Sequence, residues 1–220
     1  MTFTTHTSFD EFVDKYDGFI LDQFGVMHNG KEGLPGAADC VKKLHSLGKK
    51  LIILSNTSST SESALKKLPK LGFDEKCFIG AVTSGEEASR YILKEYGSSD
   101  KKKAIWFSWT DDAVPLKFLS KCGNIEPTTN VDEADFLITH GTEALRGSKP
   151  EDNLSLGSFM DDGVFTSVVD PILKKCIERK LPMVCANPDF IMKRADGTIG
   201  HMPGKFLAII IFWQTVQTNN

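Results

Sequence analysis

The chain has 220 residues, of which 40% are hydrophobic and 25% are charged, and its formal net charge is −3. This composition is that of an ordinary globular protein, and it contains neither the basic excess of a nucleic-acid-binding protein nor a basic block suited to an anionic membrane. Five scattered cysteines without CxxC spacing argue against a zinc site and a disulfide framework. The longest apolar run, residues 206–213, is far shorter than the roughly 20 residues that span a bilayer, and we expect a cytoplasmic protein with reduced thiols.

Short apolar runs and amphipathic helical patterns alternate along the first part of the chain. We predict helices over 8–16, 37–47, 61–71 and 86–96, and buried strands over 18–22, 50–54 and 78–82. This alternation is typical of parallel β-α-β units with right-handed crossovers. Because ligands bind outside the carboxyl ends of the strands in such sheets, we expect Asp22, Ser55 and Ser84 to share one edge.

A second series of strands and helices follows residues 97–100, which we interpret as a boundary. We predict strands over 104–107, 136–139, 183–186 and 197–202, and helices over 111–121, within 150–160 and over 168–179. The second part of the chain is therefore also predicted to be an α/β unit. No internal repeat and no low-complexity segment interrupts either part.

Asp22 ends the first predicted strand, at the mouth of a glycine-rich loop over 23–36. A carboxylate at this point can attack phosphorus in line and form an aspartyl-phosphate, and the backbone N–H groups of the loop can hold phosphate oxygens. Acids end many strands, so this position alone does not specify an enzyme. Ser55 and Asn56, after the next strand, add a hydroxyl and an amide that can bind the phosphoryl group. The serines over 58–61 can equally cap the following helix.

These residues together resemble the haloacid dehalogenase superfamily. Residues 19–30 are similar to its first motif, and residues 51–57 are similar to its second. The stretches 82–88 and 184–190 are similar to the subgroup that contains nucleotide phosphatase and 4-nitrophenyl phosphatase-like enzymes. That subgroup carries a large α/β cap, inserted after the third strand of the core.

The resemblance implies an α/β fold in which a Rossmann-like parallel-sheet core, incomplete here, receives an inserted α/β cap domain. The core would take its first three strands from residues 1–85, and the cap would comprise residues 86–203. Residues 204–220 would be a divergent tail in place of the rest of the core, so that the chain resembles a C-terminally truncated member. The apolar residues of this tail, among them Phe206, Ile210, Phe212 and Trp213, are expected to cover part of the sheet edge beside Asp22.

By the same resemblance, Asp22 is the nucleophile and a ligand of Mg²⁺, and the backbone carbonyl of Phe24 is a second metal ligand. Ser55 acts with Asp22 in catalysis and grips the phosphate together with Asn56.

Four further positions would complete the substrate site by the same resemblance. Gly25 and His28 would contact the phosphate or the substrate from the loop after the first strand. Asn187 and Asp189 would face the site from the cap. Two alternatives stay open, since His28 can be an exposed loop histidine and residues 187–189 can be an Asn-Pro turn held by side chain to backbone hydrogen bonds.

Two departures from the phosphatases of the superfamily bear on activity. Those enzymes place an acid two residues after the nucleophile to protonate the leaving oxygen, and Phe24 stands at that position. They also carry a later lysine and later acids that complete the magnesium site, whereas the match fades after Gly204-Lys205 and no acid follows Asp196. The similar-looking stretch 147–150 is interpreted as a loop of the cap.

We therefore expect a magnesium-dependent phosphohydrolase-like protein that acts weakly or not at all on a small phosphorylated metabolite. No nucleic-acid or membrane partner is expected, and a homo-oligomer formed through the cap stays open. One alternative is a non-catalytic phosphate- or partner-binding protein on the same fold. The other is a dehalogenase-like hydrolase, which Phe24 suggests because a halide leaves without a proton.

Overall fold

The computed structural model of the chain describes residues 8–210. Its α-helices are α1 (Ala37–Ser46), α2 (Ser61–Lys67), α3 (Ser84–Ile92), α4 (Ala113–Lys121), α5 (Phe159–Asp162) and α6 (Val169–Glu178). Its strands are β1 (Gly18–Leu21), β2 (Lys50–Ser55), β3 (Phe78–Thr83), β4 (Lys102–Ser108), β5 (Ile125–Pro127), β6 (Phe136–Thr139), β7 (Ala144–Arg146), β8 (Leu154–Ser155), β9 (Met183–Cys185), β10 (Ile191–Lys193) and β11 (Ile199–His201). No helix within this range combines the length and the hydrophobicity that a membrane crossing requires.

The first of two compact units contains the described residues up to Ser55 together with Ser61–Val82. Its sheet has the order β1-β2-β3, and β1 and β2 are parallel, with Leu21 opposite Ile53. Leu51 and Ile53 are fully buried in a cluster that also contains apolar residues of α1. Alternate residues of β2 therefore anchor the sheet to its helices, and the carboxyl end of the strand is fixed in space.

The opposite face of this sheet is exposed. Ile20, Leu54 and Ile79 are respectively 69%, 52% and 68% exposed. The expectation that these strands are buried is therefore wrong for one of their two faces. An apolar run specifies a strand, but the run does not say whether a second layer covers it.

The second unit contains Asn56–Thr60 and the chain from Thr83 onwards. Its main sheet has the order β8-β7-β4-β6-β9, with β5 paired to β4. Strands β4, β5, β6 and β9 run parallel, and β7 and β8 are antiparallel to their neighbours. Side chains of α3 and α4 pack on one face, and side chains of α5 and α6 pack on the other. The second unit is thus a three-layer α/β sandwich, with β10 and β11 as a separate hairpin.

Two of the predicted helices are not α-helical over most of their length. Residues 8–16 form two 3-10 turns, Phe9–Glu11 and Val13–Lys15. The segment 150–160 contains a 3-10 turn, the short strand β8 and the four-residue helix α5. Asn153 interrupts this segment because its Oδ1 accepts a hydrogen bond from the backbone N–H of Gly147, and Gly157 adopts a φ of +63° that a helix does not allow. Side chain to backbone bonding has outweighed helical periodicity here.

Phe206 lies in the core of the second unit and is fully buried. Its ring centroid is 4.7 Å from that of Phe107 and 4.8 Å from that of Phe159. Ile210 belongs to the same cluster, so the expectation that these two residues cover the sheet edge beside Asp22 is wrong. The same expectation for Phe212 and Trp213 lies outside the described residues. The predicted domain boundaries after residues 85 and 203 stay predictions.

We expect Phe206→Ala to destabilise the second unit by roughly 3–5 kcal/mol, because it empties a large volume among close-packed rings. Urea unfolding followed by tryptophan fluorescence measures this loss, since Trp106 is buried in the same unit. Phe190→Ala is the matched control, because Phe190 is 54% exposed and should shift the midpoint little. An equal shift for the two variants would contradict the packing described above.

Candidate active site

Asp22 directly follows β1, and Ser55 is the last residue of β2. The parallel register pairs Leu21 with Ile53, which sets Asp22 level with Leu54 and one residue before Ser55. Neighbouring strands lie about 4.8 Å apart and one residue along a strand adds about 3.3 Å, so the two backbones are close together. Asp22 is exposed, whereas Ser55 is 8% exposed. The structure therefore brings a carboxylate and a serine to one edge of the sheet.

The loop after β1 folds back on itself. The carbonyl oxygen of Gln23 accepts hydrogen bonds from the backbone N–H groups of Met27 and His28, at 2.8 and 3.1 Å. The Gly25 N–H donates to the His28 carbonyl oxygen at 2.8 Å, and Gly25 has a φ of +83°, which other residues rarely adopt. The side chain of Asp22 joins this arrangement, because its Oδ1 accepts a hydrogen bond from the Gln23 N–H at 2.7 Å. Gly25 is thus required for the turn itself.

His28 is buried beneath this loop, with 7% of its surface exposed. Its Nδ1 accepts a hydrogen bond from the Gly30 N–H at 3.1 Å, which leaves the proton of the neutral ring on Nε2. Burial lowers the pKa of His28, the nearby Lys67 cation lowers it further, and the Asp22 carboxylate opposes the change. The alternative of an exposed loop histidine is wrong, and His28 is a neutral part of the loop that carries the candidate nucleophile.

Phe24 is 37% exposed, and its ring lies edge-on to His28 at a centroid distance of 6.2 Å. An aromatic ring has no proton to donate to a leaving oxygen. The folded loop therefore offers no general acid at position 24.

Asn56, Asn187 and Asp189 lie in the second unit, whereas the other predicted site residues lie in the first. The Nδ2 group of Asn56 donates to Asp189 Oδ1 at 2.6 Å. Asn187 is 4% exposed, and its Oδ1 accepts a hydrogen bond from the Asp189 N–H at 3.0 Å. This is the side chain to backbone hydrogen bond that is expected if residues 187–189 form an Asn-Pro turn. Asp189 therefore both ends a turn and contacts Asn56.

Two comparisons of sequence show which proteins this chain resembles. Residues 19–117 match the model of the haloacid dehalogenase-like hydrolases. The 4-nitrophenylphosphatase of Schizosaccharomyces pombe is 41% identical over 69 residues, which make up 31% of this chain and 23% of that protein. Over residues 19–117, less than half of its length, the chain is therefore similar to the haloacid dehalogenase-like hydrolases. The aligned part is less than a quarter of this curated relative's length.

Two solved structures share the fold. A hydrolase of the haloacid dehalogenase-like family from Brucella suis 1330 has a TM-score of 0.71 at 19% identity, over 96% of this chain and 70% of its own. A glycerol phosphate phosphatase from Mycobacterium tuberculosis, crystallised with magnesium, has a TM-score of 0.59 at 15% identity, over 92% of this chain and 53% of its own. These likenesses confirm the predicted α/β fold with a Rossmann-like parallel sheet.

The chemistry of the predicted ligands is compatible with a magnesium ion held by few protein groups. Asp22 offers a carboxylate and Phe24 offers a backbone carbonyl, which are the oxygen ligands that Mg²⁺ prefers. Within residues 8–210, no group of three or more histidine, cysteine, aspartate or glutamate side chains could hold a metal. Mg²⁺ commonly keeps several waters and uses one or two carboxylates with substrate phosphate, so the two predicted ligands would give a weak site rather than a dedicated one.

Lys205, where the resemblance to the superfamily fades, lies in the second unit. Its Nζ is 3.3 Å from His201 Nδ1 and 5.9 Å from the centroid of the Phe159 ring. Ser84, expected at the edge with Asp22, is the first residue of α3, whose amino end is capped by Thr83 Oγ1.

Two contacts of the second unit were not predicted at all, those of Trp109 and His140 with Ser58. Each of these residues directly follows an apolar strand, which is a signal that sequence reasoning could have used.

Proposed function

We propose that this chain is a slow, magnesium-assisted phosphohydrolase that acts on a small phosphate ester through an aspartyl-phosphate at Asp22. One observation carries the proposal. Asp22 directly follows β1 and Ser55 ends the neighbouring parallel strand β2, beside a loop closed by backbone hydrogen bonds. The similarity of residues 19–117 to the haloacid dehalogenase-like hydrolases supports it.

In the proposed reaction, a carboxylate oxygen of Asp22 attacks phosphorus in line with the ester oxygen. The new bond forms between Asp22 and phosphorus as the bond from phosphorus to the ester oxygen breaks, and the leaving oxygen takes a proton from water. A water molecule then hydrolyses the aspartyl-phosphate, which releases inorganic phosphate and restores the carboxylate. Bound Mg²⁺ would offset the negative charge of the phosphoryl group as it meets the carboxylate.

The other residues of the proposed site bind and orient the substrate. The Gln23 N–H holds Asp22 Oδ1 at 2.7 Å, which fixes the direction of the nucleophile. The hydroxyl of Ser55 and the amide of Asn56 would bind the phosphate oxygens. Gly25 and His28 would support the phosphate site by holding the loop in its turn. The lowered pKa of His28 favours the neutral ring, so His28 would not pair with phosphate as a cation at neutral pH.

Slow turnover follows from Phe24. Without an acid at this position the leaving oxygen receives no positioned proton, and general acid catalysis typically contributes about 10²–10⁴-fold. The sparse metal site acts in the same direction. Because the predicted metal site has few ligands, a non-catalytic phosphate-binding protein is the second candidate function. A dehalogenase-like hydrolase is the third, and it is favoured by Phe24 alone.

The test is hydrolysis by the purified chain of p-nitrophenyl phosphate and a panel of small phosphorylated metabolites, with Mg²⁺ and with EDTA. We expect slow turnover that is lost with EDTA. Saturable phosphate binding without turnover would favour the non-catalytic protein. Release of halide from a haloacid, unchanged by EDTA, would favour the dehalogenase-like hydrolase.

Phe24→Asp should raise turnover of alkyl phosphates by about 10²–10⁴-fold, because the new carboxyl group can protonate the leaving oxygen. Hydrolysis of p-nitrophenyl phosphate should rise much less, since nitrophenolate leaves without a proton. The measurement is kcat/KM for the two substrate types. Phe24→Asn is the matched control, because it has the same shape and cannot donate that proton efficiently. Equal gains on both substrate types would argue against the missing acid as the cause of slow turnover.

A further inference from the structure

The residues over 56–60 follow the candidate phosphate-binding Ser55, yet they belong to the second unit. This loop, called here the 56–60 loop, contacts side chains that lie just past the carboxyl ends of β4, β6 and β9. These three strands are neighbours in the sheet and run parallel. The carboxyl edge of a parallel sheet is where such folds bind ligands, and here a loop of the same chain lies against it.

Each of the three strands contributes one contact. Trp109 follows β4 directly, and its Nε1 donates to Ser58 Oγ at 3.0 Å. His140 follows β6 directly, and its Nε2 lies 3.0 Å from the Ser58 carbonyl oxygen. Asp189 lies four residues after β9, and its Oδ1 accepts the Asn56 Nδ2–H at 2.6 Å. Residues that follow three strands therefore hold the loop at two positions, Asn56 and Ser58.

Thr83, at the end of β3, and Gly85, in the first turn of α3, also hold the 56–60 loop. The Gly85 N–H donates to the Thr57 carbonyl oxygen at 3.0 Å, and Thr83 Oγ1 donates to the Ser59 carbonyl oxygen at 2.8 Å. A Cβ atom at Gly85 would lie 1.9 Å from the Ser58 carbonyl oxygen, so only glycine allows this approach. Ser58 is 4% exposed as a result. The middle of the loop is thus enclosed on two sides.

We propose that Asp189, Trp109 and His140 are positioning residues that hold Asn56 for phosphate binding. The proposal rests on the phosphohydrolase function proposed above. Asp189 accepts one of the two N–H groups of the Asn56 amide, and a carboxylate acceptor makes this bond stronger than a neutral one. The second N–H is the group that would reach a phosphate oxygen. Trp109 and His140 fix Ser58, two residues further along, and so limit the movement of the backbone that carries Asn56.

The role of His140 follows from its surroundings. The Ser58 carbonyl can only accept, so the Nε2 atom of His140 carries the proton and donates it to this bond. The ring is fully buried, and its Nδ1 has no hydrogen-bond partner among residues 8–210. His140 therefore holds the loop as a neutral donor with one fixed direction.

The experiment measures the loop and the phosphate site separately. Hydrogen–deuterium exchange of the peptide that covers residues 55–60 reports how firmly the loop is held, and the KM for p-nitrophenyl phosphate with the Kd for inorganic phosphate, both with Mg²⁺, report binding. Asp189→Asn and Trp109→Phe each weaken one contact with little change of volume. We expect each to raise exchange and KM by about tenfold, with kcat changed less, because a hydrogen bond to a charged or buried group is lost.

One control is matched to Asp189→Asn. Asp196→Asn makes the same change in the turn between β10 and β11, where Asp196 Oδ1 accepts from the Thr198 N–H. Asp189→Glu, which keeps the charge, should recover part of the loss.

The outcomes separate this inference from the proposed function. Unchanged exchange in Asp189→Asn and Trp109→Phe would overturn it. Faster exchange with unchanged KM and Kd would also overturn it, because the contacts would then be structural only. A parent chain that neither binds nor hydrolyses phosphate esters would instead refute the function proposed for Asp22. In that case the exchange data still decide whether Asp189 and Trp109 hold the 56–60 loop.

Discussion

Asp22→Asn should reduce turnover of every phosphate ester by roughly 10³-fold or more, as expected for loss of a catalytic nucleophile. An amide is a poor nucleophile and a weak ligand of Mg²⁺, so one substitution removes both proposed roles of this side chain. The fold should persist, because Asp22 is exposed and an asparagine Oδ1 can still accept the hydrogen bond from the Gln23 N–H.

The measurement is kcat/KM for p-nitrophenyl phosphate with Mg²⁺, compared between the parent and the variant at equal folded fraction by circular dichroism. Asp17→Asn is the matched control, because it makes the same change just before the amino end of β1, far along the strand from Ser55. We expect parental turnover for this control. Parental turnover for Asp22→Asn would show that the reaction takes place elsewhere in the chain.

The edge that carries Asp22 and Ser55 could be predicted because its determinants are local. Apolar runs end abruptly at these residues, and the rule that parallel strands share a carboxyl edge needs no knowledge of distant contacts. The register of β1 and β2 bears out this part of the prediction. Whether the residues of this edge perform catalysis stays a prediction.

The 56–60 loop could not be predicted, because its position depends on residues far along the chain. Asn56 and Asp189 are 133 positions apart in sequence, and Ser58 and His140 are 82 apart. A run of serines and threonines before a helix reads locally as a capping sequence. Only the assembled sheet of the second unit shows that three strand ends converge on this loop.

The exposed face of the β1-β2-β3 sheet shows another limit of sequence patterns. The sequence predicts that Ile20 and Ile79 are buried, because strands that are buried on both faces are near-continuous apolar runs. Burial depends on a second layer, and the pattern within a strand carries no information about that layer. The segment 150–160 differs from its prediction for another reason, because Asn153 Oδ1 accepts a hydrogen bond from the Gly147 N–H and Gly157 adopts a positive φ, which together interrupt a helix.

Acidification should destabilise the protein through His140. Burial lowers the pKa of His140 from its ordinary 6.5 to about 4, the Arg146 cation acts in the same direction, and the hydrogen bond to Ser58 opposes both. Below pH 6.5 the unfolded chain therefore binds a proton that the folded chain excludes, so stability falls as the pH falls. The contribution is complete above pH 6.5 and is lost progressively down to about pH 4. A shift of this size corresponds to about 3 kcal/mol.

Urea unfolding at several pH values between 7 and 4 measures this loss of the free energy of unfolding. His140→Gln should flatten the pH dependence, because the glutamine amide can donate to the Ser58 carbonyl oxygen and does not titrate in this range. Part of the slope should remain, since burial also lowers the pKa of His28. His45→Gln is the control, because His45 is exposed on α1. The same pH dependence in the parent and in His140→Gln would contradict the prediction. It would show that protonation of His140 does not cause the loss of stability at low pH.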